Sequence, residues 1–127
     1  MTDLPAFDLD AAGLRADGRD LAAGVEVLAV KLESALPSEC RVQRRARSLF
    51  DREKVVETIE VRLGEARYSL RHHRGRVEAS RDKEVRGVVI KREQLTLAEW
   101  VAALEGDLRE QAQTSAAARA ALERLVS

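Results

Sequence analysis

Apolar residues recur at helical spacing in the N-terminal third of the chain. From Asp17 onward they follow each other every three or four residues, which is the period of one face of an α-helix. The stripe consists of Leu21, Val25, Leu28 and Leu32. Pro37 disfavours helical backbone at the residue before it, so we predict a helix over about residues 15–36. Residues 1–13 show no such period, and we interpret them as a mobile tail in front of one domain over residues 14–127.

The middle of the chain changes to an alternating pattern, which is typical of half-buried β-strands. Within residues 55–63, one face carries the apolar side chains Val55, Ile59, Val61 and Leu63. Gly64-Glu65 has the composition of a two-residue hairpin turn, and residues 66–73 alternate again. These two segments are predicted to form an antiparallel hairpin.

Further strands are predicted on both sides of this hairpin. Arg74-Gly75 marks a turn before a short strand near residues 76–81. We interpret Asp82-Lys83 as the next turn and Val85–Lys91 as the strand after it. Residues 40–47 suit an edge strand, since charged side chains discourage pairing with other chains.

The last third of the chain begins with a well-marked helix start. Thr96 and Glu99 have the spacing of a capping box, and Leu95 and Trp100 occupy the positions of a hydrophobic staple around it. Apolar residues then step by threes and fours as far as Leu125, which allows one helix of about 30 residues. A break near Thr114, itself an acceptable cap, is the alternative.

This order of elements predicts an α+β fold. The expected architecture is a two-layer sandwich, in which an antiparallel meander of four or five strands is flanked in sequence by an N-terminal and a long C-terminal helix. Both helices are expected to cover the apolar face of the sheet.

Composition and charge narrow the functional classes. No apolar run approaches the about 20 residues that cross a bilayer, and the N-terminus lacks the features of a secretory signal, so a cytoplasmic location is expected. Cys40 is the only cysteine, which excludes an internal disulfide. The chain is neutral overall, with 22 basic and 22 acidic residues. The positive charge is concentrated in residues 41–94, which hold 16 basic and 9 acidic residues.

Motifs that carry chemistry are absent from the sequence. It contains no nucleophile elbow, phosphate-binding glycine loop, zinc-protease motif or calcium loop. His72 and His73 are adjacent in a predicted strand and therefore point to opposite faces. We expect no catalytic residue, cofactor or metal, and hence no enzyme, unless an active site forms only between subunits.

The strongest basic cluster is a candidate anion patch formed by Arg67, Arg71, Arg74 and Arg76. Guanidinium groups on an open sheet face would bind oxyanions in a bidentate manner. Glutamates interleave with these arginines, however, and the face lacks the aromatic residues on which nucleic-acid bases stack. A nucleic-acid partner is therefore not expected.

Two apolar patches predict self-association. Val88 and Ile90 belong to a run of three apolar residues, which indicates a strand covered on both faces, either inside the monomer or by a partner. Ala118, Leu122 and Leu125 continue the helical stripe beyond the reach of the sheet, because a helix to Leu125 would span about 44 Å and an eight-residue strand about 26 Å. We therefore expect a homodimer. A last helix that breaks and folds back would give a monomer instead.

Residues 88–104, VVIKREQLTLAEWVAAL, together with the alanine-rich helix after them, resemble small uncharacterised proteins of actinobacteria. The resemblance extends over about residues 36–127 and implies a bacterial cytoplasmic source and no particular activity. Our expectation is a non-catalytic binding or assembly module, an adaptor or chaperone-like subunit with a protein partner of unknown identity. The alternative is binding of nucleic acid or another anionic ligand through the arginine-rich sheet face.

Overall fold

The computed structural model describes residues 18–46, 50 and 54–127, so the predicted tail over residues 1–13 lies outside the described residues. The elements in chain order are α1 (Gly18–Ala35), β1 (Cys40–Ala46), β2 (Lys54–Leu63), β3 (Ala66–His73), β4 (Arg76–Val85), β5 (Val88–Leu95), α2 (Leu97–Gln111) and α3 (Ala116–Val126).

The five strands form one antiparallel sheet in the order β1-β2-β3-β4-β5. The predicted α+β class and antiparallel meander are therefore confirmed. Gly64, with a φ of +59°, opens the two-residue turn between β2 and β3. Arg74 and Gly75 both have positive φ, as a type I′ hairpin turn requires, and connect β3 to β4. β1 and β5 are the two edges of the sheet.

The turn predicted at Asp82-Lys83 is wrong. β4 continues through both residues to Val85, and the turn to β5 is Arg86-Gly87, again with two positive φ angles. Aspartate is common in turns and rare inside strands, which is why the sequence pattern favours a turn at this position. In the structure Asp82 is 3% exposed, and arginines on both neighbouring strands bind its carboxylate.

A β-bulge in β2 changes which valine faces the core. Gln43 is opposite Thr58, whereas Arg44 is opposite Val56, so Glu57 is an extra residue on β2. The bulge reverses the alternation, and Val56 is buried while Val55 is only half-buried. The predicted inward face of β2 is therefore right from Ile59 onward and wrong at Val55.

The three helices pack on one face of the sheet. α1 contacts β1 and β2, α2 contacts β4 and β5, and α3 packs against both α1 and α2. The core lies between the helices and the strand residues that face them. Among the described helices, none is long and apolar enough to span a membrane. The opposite face, which we call the open face, carries the polar strand residues and is covered by no described helix.

The C-terminal helical region starts as expected and is then divided. Thr96 and Glu99 form both hydrogen bonds of the capping box, and Trp100 is fully buried. α2 ends at Gln111, and α3 begins after Ser115, whose hydroxyl accepts from the backbone N–H of Ala118. The continuous helix is therefore not formed, and α3 folds back onto its own domain.

Candidate interaction sites

The end of the β4–β5 hairpin projects beyond its neighbouring strand. Lys83 is opposite Ala66, the first residue of β3, and the backbone N–H of Glu84 donates to the carbonyl oxygen of Glu65 in the preceding turn at 2.7 Å. Residues 85–90, which we call the hairpin end, continue past this point, where Val88 is opposite Val85 and Val89 is opposite Glu84. No described neighbouring strand supports them.

The hairpin end exposes three consecutive apolar side chains. Val88, Val89 and Ile90 are 61%, 39% and 57% exposed. Lys83 is opposite Lys91, whereas Glu84 is opposite Val89, so Ile90 is the extra residue of a bulge. The described residues of the chain therefore leave this run exposed, although it was expected to be buried on both faces.

β5 also presents an electrostatic conflict at the free edge of the sheet. Lys83 and Lys91 lie directly opposite each other on an antiparallel pair, an arrangement in which like charges are destabilising. Among the described residues, neither lysine has a carboxylate within ion-pair distance. The next residue on the same face, Glu93, binds Arg81 at 3.2 Å.

The helical part of the predicted interface is largely buried within the chain. Ala118 and Leu125 are 8% and 1% exposed, and Leu122 is half-buried against the same core. The division before Ser115 allows α3 to turn back and pack on α1 and α2. The apolar stripe of α3 therefore gives no argument for a dimer, and the predicted dimer rests on Val88 and Ile90 alone.

The four arginines of the predicted anion patch do not form one cluster. Arg67 lies in a network of ion pairs on the open face, where it contacts Asp82 at 3.4 Å and Glu84 at 3.0 Å. Arg92 binds the same aspartate through two hydrogen bonds of 3.0 and 3.1 Å. The hydrogen bonds from Arg92 hold the pKa of Asp82 below its usual range. Arg67 is thus already neutralised by acids of its own chain.

The other three arginines lie at the opposite end of the open face, around the β3–β4 turn. Arg71, Arg74 and Arg76 are exposed, and no described carboxylate lies within ion-pair distance of them. His73 is beside them, and its Nδ1 is 3.1 Å from the guanidinium of Arg45. Only this subset retains the character that the sequence assigned to the whole patch.

The open face also holds a shallow concavity of about 450 Å³, which is lined mainly by polar side chains and includes Arg71. Thr58, Ser69 and Ser80 are among the lining residues, as are Glu60 and Glu78. No aromatic side chain lines it, because Tyr68 and Trp100 both face the helices. The open face therefore offers hydrogen-bonding groups but no stacking platform.

Comparison with protein-family models, with curated proteins and with solved structures finds no match for this chain. Its function is therefore inferred from the geometry of the described residues alone.

Perturbed ionisable groups occur inside the fold, where sequence reasoning did not find them. Burial, and then a hydrogen bond to Asp107, raise the pKa of Tyr68. Its hydroxyl also contacts the carbonyl oxygen of Ala103 and the guanidinium of Arg81. These contacts tie α2 to the sheet, and the only hint in the sequence was a tyrosine on an inward-facing strand position.

Burial likewise raises the pKa of the Cys40 thiol to about 11, so the thiol stays protonated at neutral pH. Within residues 18–46, 50 and 54–127, no group of three or more histidine, cysteine or acidic side chains is arranged to hold a metal ion.

Proposed function

We propose that this protein is a non-catalytic binding or assembly module that contacts a protein partner through the hairpin end. The observation that supports the proposal is the contiguous exposure of Val88, Val89 and Ile90 on a projecting hairpin. Contiguous apolar exposure beside polar surroundings is characteristic of protein interaction sites.

The position of these residues on an edge strand adds a second means of binding. β5 has a neighbour on one side only, so its outer backbone N–H and C=O groups can pair with an additional strand. Backbone pairing would supply affinity, and the exposed apolar side chains would supply selectivity. Both contributions suit a protein partner better than a small molecule.

A matched pair of variants tests the proposal in the source cell. Ile90→Lys places a charge on the hairpin end, whereas Val30→Lys places one on α1 at a valine of similar exposure, 53%. We expect affinity capture followed by mass spectrometry to recover a stoichiometric protein partner, or a second copy of the chain, with the wild type and with Val30→Lys. Loss of that partner from Ile90→Lys alone supports the proposal, provided that circular dichroism shows a folded variant. Retention of every partner by Ile90→Lys contradicts it.

Anionic-ligand binding is a second candidate function, favoured by the three arginines at the β3–β4 turn for which no acidic partner is found among the described residues. Binding of inorganic polyphosphate measured at several salt concentrations tests it, because phosphate contacts weaken steeply as salt increases. Binding that is insensitive to both salt and Arg71→Glu would exclude this candidate.

A further inference from the structure

We propose that the partner of the hairpin end is a second copy of this chain, joined by antiparallel pairing of the two β5 strands about a two-fold axis at Arg92. This inference rests on the proposed function, because it assigns a partner to the same surface. The product would be one continuous ten-stranded sheet with the helices of both copies on the same side.

Symmetry restricts how two β5 edges can pair. Two identical edges that extend one sheet with the same face up must be related by a two-fold axis perpendicular to the sheet, and the strands are then antiparallel. The axis lies midway between the two copies of one β5 residue, so this residue is directly opposite the same residue of the second copy. The register is therefore defined by the identity of that residue.

The charge pattern of β5 selects Arg92 as this residue. An axis there places Lys91 opposite Glu93 of the second copy, and the reverse pair forms at the same time. An axis at Lys91 or at Glu93 would instead put like charges opposite each other. The two central arginines do not add a free charge, because each is already bonded to Asp82 of its own chain.

The same register would place a carboxylate next to Lys91 and so reduce its repulsion from Lys83. Neither lysine has an acidic partner within its own described chain, and Glu93 of the second copy would bring a carboxylate to Lys91. At each end of the pairing, Val89 and Ile90 would lie near Leu95 and Gln94 of the second copy, and the bulge at Ile90 marks the end of the regular pairing. The chain carries no net charge, so long-range repulsion between the copies does not oppose association.

Disulfide formation between different variants tests this register. In a Cys40→Ser background, we would prepare Lys91→Cys and Glu93→Cys as full chains, and oxidise each alone and as a mixture. The mixture is expected to form a covalent dimer, because positions 91 and 93 are opposite each other. Each variant alone is expected to form little, because identical positions would be separated by about 8 Å between Cα atoms, beyond the about 7 Å limit for a disulfide.

Light scattering after size exclusion completes the test. We expect twice the 14.1 kDa of one chain for the wild type across the micromolar range. The dimer should be lost in Lys91→Glu and retained in Lys54→Glu, which makes the same charge change on β2. A monomer at all concentrations overturns the inference, as does a dimer in which the mixture gives no more disulfide than the single variants. A monomer that still captures a different protein, and loses it with Ile90→Lys, overturns only this inference and leaves the proposed function intact.

Discussion

Removal of the Trp100 indole tests how the helical layer is held on the sheet. The side chain is completely buried, and its Nε1 donates to the carbonyl oxygen of Ser80 on β4 at 3.2 Å. Its ring meets Tyr68 of β3 edge to face, with centroids 5.9 Å apart and an interplanar angle of 87°. One residue of α2 therefore contacts two strands by packing, by an aromatic pair and by a hydrogen bond.

These contacts determine how much unfolding free energy the loss of the indole should cost. Emptying a buried aromatic position costs about 3–5 kcal/mol of unfolding free energy, and we expect Trp100→Ala to fall in the upper part of this range. The reasons are that the substitution also removes the aromatic pair, worth about 0.5–1.5 kcal/mol, and the indole donor to the Ser80 carbonyl. Trp100→Phe keeps most of the packing and loses the donor, so we expect a cost of about 1–2 kcal/mol.

Urea unfolding followed by far-ultraviolet circular dichroism measures both variants. Fluorescence is unsuitable because Trp100 is the only tryptophan. Val30→Ala on the exposed surface of α1 serves as a control and should change stability by less than about 0.5 kcal/mol. A cost below about 1 kcal/mol for Trp100→Ala, or equal costs for the alanine and phenylalanine variants, would refute this account of the core.

Four other predictions concern the core, the buried ionisable groups and the open face. Leu125→Ala should cost about 2–5 kcal/mol in the same urea assay, because α3 packs inside the monomer, and a cost near zero would show that it does not. The Arg92 hydrogen bonds lower the pKa of Asp82 in the folded state. The ionised Asp82 carboxylate therefore stabilises the fold fully above the ordinary aspartate pKa of about 3.9, and this stabilisation is lost as the pH falls through the lowered pKa. Acid should consequently reduce the free energy of unfolding more in the wild type than in Asp82→Asn. Cys40, with its pKa raised to about 11, should react with a disulfide reagent at pH 8 at least about tenfold more slowly than in urea, and equal rates would contradict its burial. Labelled oligonucleotides should show no submicromolar binding in fluorescence anisotropy at about 150 mM salt, and such binding, lost on Arg71→Glu, would contradict the assembly proposal.

The sequence predicted the elements whose determinants are local. The capping box at Thr96 and Glu99 requires only two residues at the right spacing, and Gly64 and Gly75 lie in turns where a positive φ is needed. The helical stripe of α1 and its end before Pro37 likewise depend on near neighbours in the chain. For these features no knowledge of the tertiary structure was necessary.

The features that were missed depend on contacts between distant parts of the chain. Asp82 resembled a turn residue because its partners, Arg67 and Arg92, belong to other strands that periodicity alone cannot align. The bulge at Glu57 places Val56 in the core instead of Val55. Because the two residues are adjacent valines, the sequence pattern alone could not predict which of them is buried. The Arg86-Gly87 turn could have been found, since it repeats the Arg74-Gly75 pair that was interpreted correctly.

The candidate sites, too, depend on contacts between distant parts of the chain. Val88 and Ile90 are exposed because β4 and β5 extend beyond the first residue of β3. This depends on how the ends of the strands align in the sheet, which the sequence pattern does not show. The arginine patch divided because Asp82 and Glu84 bind Arg67 and leave Arg71 exposed at the other end of the face. In both cases, the sequence shows the residue types, but it does not show which distant residues lie next to them in the fold and determine their role.

The position of α3 also changes where an interface can form. A continuous helix to Leu125 would extend beyond the sheet, so its apolar end would require either a partner or a break in the helix. The structure has the break, since Ser115 caps a new helix and Leu125 reaches the core of its own chain. With that stripe buried, a dimer formed through α3 would have to unpack the monomer, whereas pairing of two β5 strands would use an edge that is already exposed and that includes Val89 and Ile90. Self-association of this protein is therefore expected at the edge of the sheet and not at the end of the last helix.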